Sequence, residues 1–348
     1  MLLDTGRGRL APRPDPELVH RCNFHGLSLA VTTNSPLLFE AIHERLRDLP
    51  SSGCNAAELT FDFHCVPDKA HHCVNKPSGE ARSVYEIMRG EVLYFDVTDE
   101  LYIDCDDRAR VLCNPGAGQV RMSFLPLEGD ELWLVSHFLL TLTLIELLKR
   151  RNFYSLHAAG LFMGGKGLLI AGASGSGKST LTVGLLNPGV GFLSDDMVFL
   201  TSSSNGLRML AFPDEIDLTD ETIRLIPKLH YLLDLPKRCG RPKRQIRASK
   251  IFGIDTVWEC QPSVLIFPRI ANTQGSLLKP VTQIEALLEL APNILLTEVH
   301  SAQAHLNILK ELTSKCRCYR LQTGKDLGVL PGMLADLATE SSNTQPPP

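Results

Sequence analysis

GLLIAGASGSGKSTL, at residues 167–181, carries more structural information than any other stretch of this 348-residue chain. Within it, the segment from Gly172 to Ser179 fills the pattern G-x-x-x-x-G-K-[ST] completely. The apolar run 168–171 before the glycines predicts a strand, and the run 178–186 after them predicts a helix. A strand, a glycine-rich loop and a helix in this order predict an α/β architecture for the second half of the chain.

The glycines make this loop a candidate phosphate site, because they let successive backbone N–H groups converge on one anion at a helix N-terminus. The candidate phosphate ligands are Gly172, Ala173, Ser174, Gly175, Ser176, Gly177, Lys178, Ser179 and Thr180. In such loops the lysine bridges the β- and γ-phosphates of a nucleotide and the following hydroxyl binds Mg²⁺. An ordinary Gly-Ser turn is the alternative, and the complete motif favours a site for ATP and Mg²⁺.

Two adjacent acids follow the helix of this loop. Asn187-Pro188-Gly189 ends the helix, residues 191–194 predict a short strand, and Asp195-Asp196 stands at its end. Consecutive residues of a strand point in opposite directions, so one carboxylate can face a metal ion and the other a hydroxyl acceptor. We assign Asp195 as the catalytic base and Asp196 to Mg²⁺ and leave the reverse order open. Two solvated turn acids are the alternative.

The run LHAAG…KGLLIAGASGSGKSTL…GVGFLSDDMVFL resembles the catalytic domain of the HPr kinase/phosphorylase family, whose superfamily includes ATP-dependent phosphoenolpyruvate carboxykinases. The segments VLIFPRI (264–270) and CYRLQTGKDL (318–327) are also similar to HPr-kinase-related proteins. His157, Lys178 and Asp195-Asp196 match the catalytic positions of the family. The resemblance implies a kinase domain with a mixed sheet, in which His157 positions the acid or the phosphate; a core histidine is the alternative.

One signature differs from that family. HPr kinase/phosphorylases carry Glu-Ile-Arg-Gly downstream of the acids, whereas residues 211–221 here read AFPDEIDLTDE and keep only Glu215-Ile216. The chain therefore resembles more closely the HPr-kinase-related proteins, some of which phosphorylate a serine of a peptide made in natural-product pathways. Glu215 is a candidate second carboxylate on the metal side, or a plain helix-capping acid before Thr219.

Residues 237–250, KRCGRPKRQIRASK, are rich in Lys and Arg and contain no acid. They predict either a solvated basic loop or a flexible arm that closes over phosphates. Arg244 and Arg247 are the candidate phosphate ligands of such an arm, since Arg binds phosphate bidentately. Arg269 and Arg320 stand at predicted strand ends, where either could stabilise transferring charge.

The pattern divides the chain into a loose N-terminus, an α+β N-terminal domain for recognition or scaffolding, a kinase domain and a disordered tail, at residues 1–20, 21–151, 152–338 and 339–348. Residues 23–32 predict a strand and residues 36–49 a helix. The apolar stretch at residues 138–148, within 130–151, is too short to cross a bilayer and predicts a buried core helix. In the second half, helices are predicted at 219–227 and 326–337, among others.

Composition excludes several partner classes. A net charge of −4 argues against a protein held to nucleic acid by bulk charge. The N-terminus does not read as a secretory signal, and the 10 cysteines form no CxxC pair, which predicts a cytoplasmic protein with no membrane partner. His64-Cys65 and His71-His72-Cys73 could bind a metal ion, but a strand and an exposed loop are the favoured interpretation.

These observations lead to one leading function and two alternatives. The leading one is an ATP- and Mg²⁺-dependent kinase that phosphorylates a hydroxyl, preferably serine, of a peptide or small protein. A small-molecule hydroxyl kinase and a non-catalytic nucleotide-binding regulator are the alternatives. HPr kinases assemble as oligomers, so the resemblance also implies a possible homo-oligomer.

The loop generates a first prediction. Lys178→Ala removes the ammonium group that bridges the phosphates, and we expect the variant to lose nucleotide binding. Calorimetric titration with ATP measures the effect, and an unchanged affinity would contradict this assignment of the site.

Overall fold

The computed structural model describes residues 17–53, 56–87, 89–212, 215–237, 243–271 and 273–339. Most of the two predicted loose termini lies outside these ranges. The first strand begins at Leu18, within the segment predicted to be loose, and the last helix ends at Thr339. The chain is a mixed α/β protein whose larger sheets combine parallel and antiparallel neighbours.

The first half of the chain builds one large mixed sheet and a helix on it. Its elements are β1 (Leu18–Phe24), β2 (Leu27–Thr33), α1 (Pro36–Leu46), β3 (Leu59–Cys65), β4 (Arg82–Ile87), β5 (Gly90–Phe95), β6 (Glu100–Cys105), β7 (Ala109–Asn114) and β8 (Gln119–Phe124). In the described residues the strand order is β1-β2-β3-β8-β7-β6-β5-β4, with β2–β3 and β3–β8 parallel and the other pairs antiparallel. Antiparallel pairs dominate, as the sequence predicts.

Two predicted elements of this half have different bounds. The single strand predicted at 23–32 is wrong, because the chain reverses there: His25 and Gly26 have φ of 46° and 98° and join β1 to β2 in a tight hairpin. Helix α1 is capped by Ser35, whose hydroxyl accepts from the backbone N–H of Leu38, and it ends at Leu46.

A long apolar helix follows the first sheet. It runs through α2 (Glu131–Trp133), a π-helical segment (Leu134–Leu139) and α3 (Leu140–Lys149), which together form the core helix Glu131–Lys149. The core helix is long and apolar enough to cross a membrane, but 72% of its most apolar window is buried inside the protein. Such extensive burial is typical of a core helix, as the sequence predicts for residues 130–151.

The second half contains the shorter elements that surround the glycine-rich loop. They are β9 (Tyr154–Leu156), β10 (Ala158–Met163), β11 (Lys166–Ala171), α4 (Lys178–Leu185), β12 (Gly191–Ser194), β13 (Val198–Ser203), β14 (Gly206–Ala211), β15 (Ile216–Leu218), α5 (Asp220–Leu225), β16 (Arg244–Ile246), α6 (Ala248–Phe252), β17 (Glu259–Cys260), β18 (Pro262–Ile270), β19 (Leu277–Pro280), α7 (Gln283–Leu290), α8 (Val299–Lys315), β20 (Arg317–Thr323) and α9 (Leu330–Thr339). Short 3₁₀ helices cover Pro227–Asp234, Ala291–Asn293 and Leu327–Val329.

Helix boundaries shift from the predicted ones where proline intervenes. The helix predicted at 219–227 ends at Leu225, since Pro227 cannot donate to the helical ladder and opens a 3₁₀ segment instead. The helix predicted at 326–337 starts only at Leu330, with Pro331 in its first turn, where the missing N–H costs nothing.

The central sheet of the second half has the order β12-β10-β11-β18-β20-β19 in the described residues. Strands β11, β18 and β20 are parallel, whereas β10 runs antiparallel to both of its neighbours, β11 and β12. The start of β10 therefore lies at the same edge of the sheet as the ends of β11 and β12. This edge carries the loop, the acid pair and the histidine that the sequence singles out.

The two halves share one apolar cluster. The ring of Phe24 packs edge-to-face against Phe153, Phe199 and Phe212 at centroid distances of 5.9, 5.1 and 6.1 Å, and all but Phe153 belong to the cluster's buried residues. The predicted boundary between residues 151 and 152 thus passes through a continuous core. The division into two domains stays a prediction.

A buried polar triangle also joins the halves. Nζ of Lys149 lies 2.8 Å from Oε1 of Glu146 and 3.0 Å from Oγ1 of Thr297, and the Thr297 hydroxyl donates to Oε2 of Glu146 at 2.6 Å. The side chains of Lys149 and Glu146 are each only 1% exposed. Both charges are therefore compensated in a dry environment, where a lost partner is expensive.

Lys149→Met leaves the buried Glu146 carboxylate without its counterion. We expect the free energy of unfolding to fall by about 3–5 kcal/mol, measured by urea denaturation, and Glu146→Met in the same chain to restore much of the loss. Lys315→Met is the matched control, because Lys315 pairs with Glu311 on an exposed surface and its loss costs at most about 1 kcal/mol. Equal losses in the two single variants would contradict the role of the triangle.

Candidate functional site

The candidate site lies at one edge of the central sheet. The loop Gly172–Gly177 leaves β11, Asp195 and Asp196 leave β12, and His157 immediately precedes β10. Gly160 in β10 pairs with Ser194, and Ala158 pairs with Ala171, so the strand register brings the three polar segments together. The sheet topology alone therefore assembles most of the predicted catalytic residues.

The glycine-rich loop has the backbone that its sequence predicts. Gly175 and Gly177 have φ of 79° and 98°, a left-handed region that disfavours side chains, and Gly177 is the N-cap of α4. Ala173, Ser174 and Gly175 are exposed, whereas Ser176 and Gly172 are half-buried. The hydroxyl of Thr180 lies 2.8 Å from that of Thr222 in α5, so it holds the start of α4 against its neighbour.

The ammonium group of Lys178 bends back over the loop. Nζ donates to the backbone carbonyls of Gly172, at 2.7 Å, and Ala173, at 3.3 Å. Burial lowers the pKa of Lys178, while Asp196 and Asp195 act in the opposite direction. A cation is thus held at the loop, next to the amide groups of a helix N-terminus.

Ser179 and Asp195 form the most buried polar contact of the site. The Ser179 hydroxyl donates to Oδ2 of Asp195 at 2.8 Å, and Asp195 is only 4% exposed. Burial raises the pKa of Asp195 to about 7, with Asp196 adding to the rise and the hydrogen bonds from Ser179 and Thr182 opposing it. Oδ1 of Asp195 is buried and has no hydrogen-bond partner among the described residues.

Asp196 points the other way, toward His157. Nδ1 of His157 lies 2.8 Å from the backbone carbonyl oxygen of Asp196 and 3.2 Å from its Oδ1. Because both oxygens are acceptors, Nδ1 carries a proton and donates it. The side chain of Asp196 is 63% exposed and that of His157 40%, in contrast to the buried Asp195. The acid pair therefore presents one inward and one outward carboxylate.

This arrangement bears on the order of the two acids. From the sequence, Asp195 is expected to be the base and Asp196 to bind the metal ion, with the reverse order open. In the structure it is Asp195 that contacts the Ser179 hydroxyl, whereas Asp196 is exposed beside His157. The geometry therefore favours the reverse order, with Asp195 on the metal side.

A cavity of about 480 Å³ opens beside the acid pair. Ser179, Asp195, Asp196 and His157 line one end of it. Residues of the first half of the chain, which the sequence analysis left without a function, line much of the rest. The one sequence signal for these lining residues is the spacing of apolar and aromatic residues along the core helix. The same spacing is typical of an ordinary core helix, so it does not identify a cavity.

The basic residues predicted as an arm are engaged elsewhere. Arg244 is buried in β16 and donates to Asp220 and to the carbonyl oxygens of Leu233 and Leu235, so its guanidinium group already has protein partners and its role as a phosphate ligand stays a prediction. Residues 238–242 of the predicted arm lie outside the described residues. Arg269 and Arg320 both pair with Glu289 on α7.

Glu215 lines the cavity, and Arg247 binds it. Nε of Arg247 lies 3.3 Å from Oε1 of Glu215, and its NH2 group lies 2.8 Å from Oε1 of Glu44 in α1. Glu215 is not the cap of the following helix, because Thr219 fills that position and accepts from the backbone N–H of Thr222. The NH1 group of Arg247 also lies 3.8 Å from Oδ2 of Asp48, so Arg247 pairs with three carboxylates. Glu215 lines the same cavity as the acid pair.

Metal binding at this site would depend on few protein ligands. In the part of the chain that the structure describes, no group of three or more His, Cys, Asp or Glu side chains is arranged to hold a metal ion. The predicted alternatives at 64–65 and 71–73 fall within this finding; His71 pairs with Asp68 and His72 with Ser123. Hydroxyl and carboxylate oxygens suit Mg²⁺, which keeps several waters and takes one or two carboxylates with substrate phosphates.

Comparisons with known proteins add little. No family model matches the chain, and no curated protein matches it. Among solved structures, the Hpr(Ser) kinase/phosphatase from Coxiella burnetii aligns with 53% of this chain and 92% of that chain, at 16% identity and a TM-score of 0.30. A likeness this low supports no inference about activity.

The raised pKa of Asp195 predicts a pH-dependent stability. The folded protein holds a proton on Asp195 up to about pH 7, whereas the unfolded chain releases it near the ordinary value of 3.8, so stability falls as the pH rises between these values. Asp195→Asn lacks this titration. In EDTA we expect the free energy of unfolding of the wild type, relative to Asp195→Asn, to fall by on the order of 2 kcal/mol from about pH 5 to about pH 8.

Urea denaturation at each pH measures this difference. Asp255→Asn removes an exposed carboxylate from the segment that pairs with β12, and it serves as the matched control for the loss of a carboxylate in this region. A difference between wild type and Asp195→Asn that stays constant over this range would contradict the buried, protonated carboxyl.

Proposed function

We propose that this chain is an ATP- and Mg²⁺-dependent kinase that transfers the γ-phosphoryl group to a hydroxyl, preferably a serine hydroxyl of a peptide or small protein. One observation carries the proposal. A glycine-rich loop ends in a serine bonded to a buried carboxylate, and the adjacent carboxylate faces a cavity beside a histidine. The division of one acid pair between a buried and an open position is what phosphoryl transfer to a hydroxyl requires.

The nucleotide would bind at the loop. Backbone N–H groups of the loop and the N-terminus of α4 would bind the phosphates, with Lys178 on the β- and γ-phosphates. Ser179 and Asp195 would hold Mg²⁺, and the unpartnered Oδ1 of Asp195 fits a group that needs a ligand. The ion, when bound, neutralises charge on the transferring phosphoryl group.

Asp196 would act on the acceptor. Its exposed carboxylate orients the hydroxyl and takes its proton as the hydroxyl oxygen forms a bond to the γ-phosphorus. The bond between the γ-phosphorus and the bridging oxygen breaks, and ADP leaves with that oxygen. His157, which donates to the carbonyl and the carboxylate of Asp196, is a positioning residue that fixes the direction of the base.

The proposed function and its two alternatives differ in whether a hydroxyl acceptor is phosphorylated and in which molecule carries it. A nucleotide-binding regulator has no need of an acid that opens into a cavity, and the position of Asp196 favours an enzyme over it. A small-molecule hydroxyl kinase would use the same residues, so it stays the second candidate. A cytoplasmic location and a homo-oligomer belong to the proposal as expectations from sequence.

Asp196→Asn separates catalysis from binding. It removes the base but keeps the size of the side chain, so we expect the rate of phosphoryl transfer to fall by about 10²–10⁴-fold while ATP affinity changes little. Transfer of label from γ-labelled ATP to a peptide or metabolite acceptor measures the rate, and calorimetry measures the affinity.

Asp255→Asn is the control for general effects of a lost carboxylate. Transfer that proceeds at the wild-type rate in Asp196→Asn would refute the role of the base. ATP binding without transfer to any tested acceptor, together with ligand-dependent binding of a partner protein, would favour the regulator.

A further inference from the structure

The cavity beside the acid pair is walled by the core helix. Trp133, His137, Phe138, Thr141, Leu142 and Ile145 line it from one side. Phe212, Met197 and Leu295 add apolar surface from the second half of the chain, whereas Arg45, Glu215, Asp217, Lys243 and Gln245 add charged and polar groups. The lining thus combines an apolar part on the core helix with polar groups, and a cavity of about 480 Å³ lies within the range of ordinary small-ligand sites.

The helix reaches this arrangement through an irregular turn. Residues Leu134–Leu139 form a π-helical segment, a rare feature that is frequently found at functional sites. The wider turn places both His137 and Phe138 in the cavity lining, and the His137 ring stacks on that of Trp133 at 6.0 Å. A regular core helix has no need of such a segment, so the distortion points to a surface shaped for a ligand.

The position of the cavity identifies which ligand it would take. Ser179 and the acid pair line one end, but Lys178 and the residues of the loop before it do not line it. If the nucleotide binds at the loop, the cavity lies on the other side of the acids, where the acceptor must stand. Asp196 is the carboxylate that opens toward this space.

We propose that the core helix selects the acceptor: the hydroxyl that this enzyme phosphorylates is borne by an aromatic or branched aliphatic group, which packs on the wall formed by Trp133, Phe138, Leu142 and Ile145. The inference rests on the proposed function and extends it to the substrate class. A small polar alcohol leaves the half-buried rings of Trp133 and Phe138 partly in water, whereas an apolar group covers them and gains binding energy. Leu142 and Ile145 are each only 6% exposed and add little to this gain. The first half of the chain thereby acquires a role in specificity.

The first experiment measures occupancy of the cavity without catalysis. The chain contains 2 Trp, so Trp258→Phe leaves Trp133 in the wall as the sole tryptophan reporter. Fluorescence titrations compare N-acetyl-Phe-Ser-amide with N-acetyl-Gly-Ser-amide, and 3-phenyl-1-propanol with glycerol. We expect the apolar member of at least one pair to bind at least about tenfold more tightly than its polar match.

The second experiment measures transfer from γ-labelled ATP to the same four probes. Thr141→Phe fills the cavity with a ring, and we expect it to raise the half-saturating concentration of the apolar probe at least about tenfold with ATP affinity unchanged. Ser314→Phe adds the same ring to the exposed face of α8 and is the matched control. The peptide and alcohol pairs distinguish a peptide acceptor from a small molecule.

The experimental outcomes distinguish a failure of this inference from a failure of the proposed function. Transfer to polar and apolar probes with equal efficiency, or equal behaviour of Thr141→Phe and Ser314→Phe, overturns the inference and leaves the kinase intact. Binding of an apolar probe in Trp258→Phe with no transfer to any probe overturns the proposed function and the acceptor role of the wall with it. No binding of any probe overturns the inference.

Discussion

Strand β10 lies between β11 and β12 and runs opposite to both, and the position of every polar group in the site depends on this placement. Since the start of an antiparallel strand lies at the edge where its neighbours end, His157, the glycine-rich loop and the acid pair share one edge without any long connection. Reversing β10 would put His157 at the far edge, a strand length away. The grouping of these polar residues at one edge therefore follows from strand direction.

The second constraint is the common core of the two halves. Phe24 of the first sheet packs against Phe199 and Phe212, and the Glu146–Lys149–Thr297 triangle fixes the core helix to the segment that follows α7. These contacts hold the core helix in place relative to the acid pair. The acceptor role proposed for the helix requires such a fixed position, because a wall that selects a substrate must not shift relative to the acids.

The sequence predicted the parts of the site that local pattern determines. The glycine-rich motif, with Gly175, Gly177 and Lys178, has backbone requirements that are short-range. The loop and the helix after it could therefore be predicted from the local sequence. The burial of Arg244 was not predicted, because it depends on Asp220 and on carbonyl groups at a 3₁₀ segment. The cavity wall likewise depends on contacts between distant segments, which single-sequence periodicity does not reveal. The hairpin turn at His25-Gly26 is local, but the apolar pattern of residues 23–32 was interpreted as one strand and the turn was missed.

The lysine of the loop bears on the affinity of the proposed nucleotide site. Nζ of Lys178 donates to the carbonyls of Gly172 and Ala173, so the loop itself contains acceptors that compete for this cation. A phosphate group that binds there would have to displace these bonds, and only the difference between the two sets of contacts would contribute to affinity. The same bonds hold the ammonium group in the loop, which would spare a bound nucleotide part of the entropy of ordering a long side chain.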